Sequence, residues 1–411
     1  MKSQILACVK YLFFLSIGFG ILLFLVKNQG ADQVKKFYEL DLESSSIASE
    51  YSKDKQIQSL ALTIKTEHQW MYQNPSAASA QREEALNTLE QELVSKFKWS
   101  ELISLGLSKI GSDLSKANYF WIFLSIFFAL LSHYIRAIRW NLLIHPMGYR
   151  PRSINSFFAV MIGYVANLVI PRMGEVSRCA ILSKSEKIPT DKLIGTVIVE
   201  RAVDLISLLT LTLITFVFQL DIILSFFTAI GDEKGIEIFT IKNLVILLGI
   251  VLILFSIFKF GVTFFLKLIS GSKFFFKMTR MVAGLRAGLK SISQLKSKRL
   301  FIFYTLSIWF CYFLTIYLAF PSYAPTKDLS LFAGLSSLVI GSFGMVAPVQ
   351  GGIGAYHWCL QKCLELYGIS SNDGLTLAFI VHTAQTLLVI ILGVVSIMFV
   401  PMFTKKQNEN G

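Results

Sequence analysis

Six apolar stretches, each close to the length that crosses a lipid bilayer, recur along this chain and exclude an ordinary soluble fold. They cover residues 5–26, 119–135, 193–219, 241–258, 300–320 and 375–400. A helix needs about 20 apolar residues to cross the hydrocarbon core, and a chain in lipid has to satisfy its backbone hydrogen bonds internally. The content of 54% apolar and only 16% charged residues agrees with this pattern. We therefore predict an all-α polytopic membrane protein.

The first 117 residues are predicted to contain an anchor and an insertion. Residues 1–30 place Lys2 and Lys10 around the start of an apolar run, but no small-residue cleavage motif follows. We therefore predict an uncleaved first transmembrane helix. Residues 31–117 are polar, and apolar side chains at helical spacing predict a small amphipathic helix packed over the membrane domain. These side chains are Leu86, Leu89, Leu93 and Phe97.

The charges between the apolar stretches predict one orientation in the membrane. Residues 31–117 hold ten Lys or Arg against thirteen Asp or Glu, whereas 259–299 hold ten cations and no acid. Because cytoplasmic loops are enriched in Lys and Arg, we assign 31–117 to the exterior and 259–299 to a basic cytoplasmic loop. Residues 136–152, with four arginines and no acid, are assigned to the cytoplasmic side as well. Both termini, including a tail at 405–411, are then cytoplasmic in a bacterial inner membrane.

Residues 153–190 are predicted to enter the membrane and return to the same side. The segment is apolar enough to cross, but both flanks are basic, and a single crossing would place 259–299 outside. Pro171 and Gly174 break the helix at the tip, and irregular backbone inside a bilayer is tolerated only where protein or a cavity covers it. We predict a re-entrant hairpin; the alternative is a kinked spanning helix with an extra crossing.

Residues 331–367 repeat this pattern in the second half of the chain. They are apolar, break at Pro348, and continue after a glycine-rich turn. We predict a second hairpin that enters from the opposite side, so that residues 118–404 contain the order helix–hairpin–helix twice. Paired broken segments in two inverted halves mark a midplane substrate site in transporters. The predicted fold therefore has about six spanning helices plus two re-entrant hairpins in an inverted repeat.

Ionisable side chains are concentrated in and after the first hairpin. They are Arg172, Glu175, Arg178, Glu200, Arg201 and Asp204. Because charge at membrane depth is costly, such a cluster is a functional-site hypothesis. Glu200 and Asp204 lie four residues apart on one helix face and repel each other, so we expect Arg172 and Arg178 at the hairpin tip to compensate them. The cluster either pins the hairpin to the following helix or leaves one arginine for an anionic group such as a lipid phosphate.

The tip of the second hairpin has no arginine, so its candidate contacts for an anion are backbone N–H groups. Gly351, Gly352 and Gly354 leave backbone N–H groups beside a helix start, which predicts an anion-binding nest. Close packing alone is the alternative explanation of these glycines. His357 is a candidate for bonding a headgroup or relaying protons, with a buried, hydrogen-bonded histidine as the alternative.

We assign no cofactor, no metal and no nucleic acid to this chain. Cys359 and Cys363 lie beside His357, but they are more simply explained as small buried apolar side chains. The net charge of +13 resides in the connections between apolar helices, so it indicates membrane topology rather than nucleic-acid binding.

Taken in order, these motifs resemble the lysylphosphatidylglycerol synthase transmembrane, or flippase-like, domain family over about residues 118–400. The matching residues are Asn167, Pro171, Arg172, Gly174, Glu175, Arg178, Glu200, Arg201, Asp204, Pro348, Gly351, Gly352 and Gly354, with RAIRW at 136–140. The resemblance implies a lipid-translocating domain. In bifunctional members of the family, this domain moves an aminoacylated phospholipid between leaflets, and a separate soluble domain synthesises that lipid.

Two features depart from the family pattern. Many members carry an acidic residue shortly after the glycine motif, where this chain has His357, and the insertion at 31–117 exceeds the usual first loop. The sequence also ends at Gly411, soon after the last apolar stretch, so we do not expect aminoacyltransferase activity.

We expect this protein to move or bind an anionic phospholipid or a lipid-linked precursor, with membrane lipids as its partners. The headgroup would enter a polar cavity between the hairpins while the acyl chains stay in the bilayer. One alternative is a membrane enzyme acting on a lipid phosphate, with Mg²⁺ on Glu200 and Asp204. The other is a scaffold subunit of a lipid-modifying complex. The chain has no H-E-x-x-H, nucleophile elbow or P-loop, so we assign no catalytic residue.

Overall fold

The computed structural model describes residues 2–35, 54–75, 79–170, 172–219, 295 and 297–409, and within these ranges all regular secondary structure is helical. Three helical stretches are long and apolar enough to cross a bilayer: Tyr119–Met147, Lys298–Ser322 and Ser371–Phe399. The predicted all-α polytopic class is thereby confirmed. The predicted span at 241–258 and most of the basic loop at 259–299 lie outside the described residues.

We number the twelve described α-helices in chain order. They are α1 (Lys2–Lys35), α2 (Lys55–Gln73), α3 (Ala80–Ser95), α4 (Trp99–Ser115), α5 (Tyr119–Ile144), α6 (Ser153–Val169), α7 (Gly174–Glu186), α8 (Thr190–Phe218), α9 (Lys298–Tyr317), α10 (Leu331–Val346), α11 (Ala355–Glu365) and α12 (Ser371–Glu409).

The first helix is longer than its apolar run. It continues to Lys35, beyond the predicted boundary at residue 30, because its last turns pack closely against α4. A Cβ on Gly30 would overlap the carbonyl oxygen of Leu102, and one on Gly106 would overlap that of Val26. Small residues at such crossings let two helix backbones approach each other.

The insertion between α1 and α5 has a core of its own. Seven buried apolar side chains form it: Val34, Ile57, Ile64, Leu86, Leu93, Phe97 and Leu102. The predicted helix corresponds to α3, which contains Leu86, Leu89 and Leu93, whereas Phe97 lies two residues beyond its end. The N-cap residue of α3 is Ser79, whose hydroxyl accepts a hydrogen bond from the Arg82 backbone N–H.

Helices α6 and α7 form the first hairpin, with the break where it was predicted. Helix α6 ends at Val169 and α7 begins at Gly174; Pro171 lies outside the described residues. The side-chain oxygen of Asn167 accepts a hydrogen bond of 2.6 Å from the Gly174 backbone N–H. A Cβ at Gly174 would overlap the carbonyl oxygen of Gly163, so only glycine allows this close approach of the two helices.

Helices α10 and α11 form the second hairpin, and its tip contacts the first. Gly351 has a φ of 57°, which favours glycine. A Cβ there would lie 2.5 Å from the Leu168 side chain in α6, and the His382 Nε2 atom of α12 lies 2.8 Å from the Gly351 carbonyl oxygen. The order helix–hairpin–helix therefore occurs twice, as predicted; membrane entry from opposite sides stays a prediction.

Candidate functional site

Two carboxylates one helical turn apart on α8 are the centre of a buried ion-pair network. Glu200 and Asp204 expose 0% and 13% of their side chains. The Arg136 Nη1 atom lies 2.6 Å from Glu200 Oε1 and 2.9 Å from Asp204 Oδ2, so one guanidinium bridges both acids. Arg139 Nη2 lies 2.7 Å from Asp204 Oδ1 and 3.5 Å from Glu200 Oε1. These contacts relieve the repulsion between the two carboxylates.

The first hairpin contributes a third buried guanidinium. Arg178 Nη2 lies 3.0 Å from Glu200 Oε2, and the guanidinium lies over the Trp140 ring at 4.8 Å. Trp140 is held in turn by a hydrogen bond of 2.8 Å from its indole N–H to the Thr196 hydroxyl. The prediction that the hairpin compensates the α8 carboxylates is thus confirmed for Arg178.

The other arginine at the hairpin tip behaves differently. Arg172 is exposed, has a left-handed φ of 64°, and has no carboxylate within 4 Å in the part of the chain that the structure describes. The prediction that it compensates Glu200 and Asp204 is therefore wrong. The break after α6 directs Arg172 to the surface.

Two arginines of this network were missed in the sequence analysis because they were counted as loop charges. Residues 136–152 were predicted to form a basic cytoplasmic connection, but α5 continues to Ile144, and Arg136 and Arg139 are 4% and 0% exposed. Their spacing of three residues, followed directly by Trp140, continues one face of the apolar helix. That periodicity was the available signal.

Counted over the described residues, the buried network carries more positive than negative charge. Three guanidiniums (Arg136, Arg139 and Arg178) face two carboxylates (Glu200 and Asp204), so the formal sum is three minus two, or +1. Among the described residues, the Nε–H groups of all three arginines have no acceptor. Buried charges are ordinarily paired, since desolvating an unpaired ion costs several kcal/mol. The network therefore favours one further anion.

A fourth arginine lies at the accessible edge of this network. Arg201 Nη2 lies 2.9 Å from Glu175 Oε1, and the two side chains are 44% and 29% exposed. This pair links α8 to the first turn of α7. Partly exposed ion pairs contribute little stability. The Arg201 guanidinium can therefore exchange Glu175 for another anion more easily than the three buried guanidiniums can exchange their partners.

The residues predicted at the second hairpin form a separate group. Pro348 is exposed at the helix break, and Gly351, Gly352 and Gly354 all have positive φ. His357 is 2% exposed, with its ring 4.7 Å from both the Phe379 and His382 rings. The contact of Gly351 with Leu168, rather than any ion pair among the predicted site residues, connects this group to the first hairpin.

The donor set around the network does not suit a metal ion. Both carboxylates on α8 are already engaged by guanidiniums at 2.6–3.5 Å. Among the described residues, no three His, Cys, Asp or Glu side chains come together as a metal site would require. A divalent cation at Glu200 and Asp204 would have to displace Arg136 and Arg139.

Comparison with known proteins identifies relatives across this region. A family model described as the lysylphosphatidylglycerol synthase TM region matches residues 97–393, which include both hairpins and α8. The UPF0104 membrane protein MJ1078 of Methanocaldococcus jannaschii is 25% identical over 249 residues, covering 60% of this chain and 98% of the relative. The UPF0104 membrane protein MJ1595 of the same organism is 35% identical over 112 residues, covering 26% of this chain and 33% of that relative. No solved structure matches the chain.

Proposed function

Because this chain belongs to the lysylphosphatidylglycerol synthase transmembrane-region family, we propose that it binds an anionic phospholipid at the first hairpin and moves it between membrane leaflets. One observation carries the proposal: three buried guanidiniums face two buried carboxylates. The lipid phosphate is the anion that balances this charge. Arginine suits the task because its planar group binds phosphate oxygens through two parallel hydrogen bonds.

The phosphate enters at the accessible edge of the network. Arg201 is 44% exposed and its partner Glu175 is 29% exposed, whereas Arg136 and Arg139 are covered. An arriving phosphate replaces Glu175 as the partner of Arg201 and lies within the field of the uncompensated buried charge. Loss of one weak ion pair is a small cost compared with a bidentate phosphate contact.

The surface at the hairpin tip suits the acyl chains of the same lipid. Four apolar side chains around Arg172 are exposed by 40% or more: Val169, Ile170, Met173 and Val176. A guanidinium among apolar side chains matches a phospholipid at its junction of headgroup and chains. Arg172 is therefore proposed as the first contact of the phosphate before it reaches Arg201.

Movement between leaflets is proposed to involve both hairpins. Their tips meet where Gly351 contacts Leu168. If the hairpins enter the membrane from opposite sides, separating this contact opens the edge of the network at Arg201 to one leaflet. Restoring the contact while the other hairpin moves opens the same edge to the opposite leaflet. This alternation is the common mechanism of inverted-repeat transporters.

The sidedness proposed here is that of a bacterial cytoplasmic membrane with both termini inside. Lys55 in the insertion and Arg150 between α5 and α6 are both exposed, so cysteines at these positions report on it. We expect a membrane-impermeant maleimide to label Lys55→Cys in intact cells and Arg150→Cys only after permeabilisation. The reverse pattern would invert the proposed orientation.

A lipid-translocation assay tests the proposed function. Purified protein in liposomes is given headgroup-labelled phosphatidylglycerol, and the labelled fraction that reaches the other leaflet is measured. We expect transfer by the wild type, a large loss in Arg201→Ala and Arg172→Ala, and no change in Arg150→Ala, which removes an exposed arginine remote from the network. Folded wild-type protein that moves none of several anionic lipids would contradict the proposal.

The enzymatic alternative has less support. It requires Mg²⁺ on Glu200 and Asp204, and both acids are held by arginines. Divalent-dependent turnover of a lipid phosphate by the purified protein would restore it.

A further inference from the structure

Two tyrosine hydroxyls beside the charge network have hydrogens for which the described part of the chain offers no acceptor. The Tyr312 hydroxyl oxygen of α9 accepts a hydrogen bond of 2.9 Å from Arg136 Nη2. A phenol that accepts through its oxygen still has its own O–H to donate, and no acceptor for that hydrogen lies among the described residues. The hydroxyl of Tyr164 in α6, which is partly buried, likewise has no hydrogen-bond partner there.

The two tyrosines share Arg136 as a charged neighbour. Tyr164 lies within electrostatic range of two arginines, Arg136 and Arg201, and also of Tyr312 and the Glu200 carboxylate. Its ring is 4.8 Å from the His133 ring, and the Tyr312 ring is 5.8 Å from that of Trp309. Both tyrosines therefore lie near the buried Arg136 guanidinium, Tyr312 through a direct hydrogen bond and Tyr164 beside His133, which precedes Arg136 by three residues on α5.

Two further buried polar atoms beside the tyrosines lack partners. Within the described ranges, the indole N–H of Trp309 and the Nδ1 atom of His133 have no hydrogen bond. An indole nitrogen can only donate, and a buried donor without an acceptor costs about 1–3 kcal/mol. A ligand that supplies acceptor oxygens would remove this cost, and a cation would not.

We propose that Tyr164 and Tyr312 donate hydrogen bonds to the phosphate oxygens of the bound lipid and select for a phosphate headgroup. This inference rests on the proposed function and assigns two residues that no charge pattern in the sequence indicates. The positive charge of the arginines attracts any anion. The two hydroxyls supply directed donors, which restrict the ligand to a group with several acceptor oxygens.

The placement of the tyrosines favours a phosphate that belongs to a lipid. Tyr312 lies on a helix long and apolar enough to cross a bilayer, and its neighbour Arg136 lies on another. A phosphate reaching this depth without acyl chains would lose its hydration without any apolar burial in return. The same donors would nevertheless bind free phosphate, so the two sources have to be separated by experiment.

Conservative variants provide the test. Tyr164→Phe and Tyr312→Phe remove only the hydroxyl groups and keep the rings in place. Tyr304→Phe is the matched control, because Tyr304 is a partly buried tyrosine on the same helix as Tyr312, with its ring against Phe303. Thermal unfolding in detergent establishes that each variant is folded, and two separate variants keep the test valid if one is not.

Binding is measured by native mass spectrometry of the full chain with phosphatidylglycerol and with diacylglycerol, which has no phosphate. We expect each tyrosine variant to lose about tenfold in phosphatidylglycerol affinity, as for a hydrogen bond to a charged group. Diacylglycerol binding and Tyr304→Phe should be unchanged. A tenfold loss confined to phosphatidylglycerol is not what a general packing defect would cause.

Each outcome has a distinct meaning. Wild-type binding of phosphatidylglycerol that both tyrosine variants retain within twofold overturns the selection role and leaves the proposed function standing. Wild-type protein that binds no phosphatidylglycerol overturns both. Inorganic phosphate that competes with the lipid shows that the tyrosines hold the phosphate group itself, and absence of competition assigns the site to phosphate carried by a lipid.

Discussion

Arg136 Nη1 lies 2.6 Å from Glu200 Oε1, and this ion pair joins two helices whose residues are 64 positions apart. Through the same guanidinium, α5 also contacts Asp204 on α8 and Tyr312 on α9. Three helices and the first hairpin, through Arg178, therefore share one buried polar network. Removing any of its arginines or carboxylates changes the charge balance as well as the contacts.

Glu200→Gln is predicted to destabilise the protein strongly. It raises the formal charge of the buried network from +1 to +2, and an uncompensated buried charge costs about 3–5 kcal/mol. Adding Arg178→Met to that variant returns the charge to +1, so the double variant should be more stable than Glu200→Gln alone. Unfolding temperatures in one detergent measure both. A double variant less stable than the single one would show that charge balance does not dominate here.

Glu175→Gln is predicted to strengthen binding of anionic lipids. It releases Arg201 from an ion pair in which the arginine is 44% exposed, and such pairs contribute about 0.2–1 kcal/mol. The affinity for phosphatidylglycerol should therefore rise by up to about fivefold. Glu92→Gln is the control, because Glu92 pairs with Lys96 on the exposed side of α3. Equal or weaker binding by Glu175→Gln would argue against entry at Arg201.

Gly351→Ala is predicted to destabilise the contact between the hairpin tips. The alanine would adopt a φ of 57° at a cost of about 1–2 kcal/mol, and its Cβ would lie 2.5 Å from the Leu168 side chain. Gly111→Ala should instead stabilise the protein by about 0.5–1 kcal/mol, because Gly111 lies inside α4 with nothing within 4 Å of the added carbon. Opposite shifts in the unfolding temperature would distinguish the two sites, and equal shifts would contradict this prediction.

Tyr323→Phe is predicted to alter stability in a pH-dependent way. The Tyr323 hydroxyl lies 2.6 Å from Asp373 Oδ1 and 3.1 Å from Asp113 Oδ2. Burial, and then the hydrogen bond to Asp373, raises the pKa of Tyr323 above its ordinary value. A raised pKa in the folded state contributes stability that is complete below the unfolded value of about 10 and is lost as the pH rises above it.

The wild type should therefore be more stable than Tyr323→Phe at pH 7 by about 1.5–3 kcal/mol, as for a hydrogen bond to a carboxylate. The difference should narrow as the pH rises from about 9 to 11. Tyr72→Phe, at a side chain that is 89% exposed, serves as the control. A difference that is constant across this range would show that Tyr323 does not titrate with unfolding.

Local rules accounted for the elements of the fold and for part of the site. Long apolar runs predicted helices, and glycine and proline placed both hairpin breaks within a few residues of their observed positions. The link between the first hairpin and Glu200 followed from the need to compensate a carboxylate, and Arg178 meets it. By contrast, Arg172 was assigned to the same task although its backbone conformation turns it toward the surface.

The amino-acid sequence by itself determined the membrane class, the helical segments and the hairpin breaks, because hydropathy and the backbone limits of glycine and proline act over short stretches of chain. The tertiary structure decided which charges pair. Arg136 and Arg139 meet Glu200 and Asp204 only because α5 packs against α8, and no local pattern specifies a contact across 64 positions. The excess of buried positive charge, on which the proposed lipid site depends, becomes visible only once those partners are known.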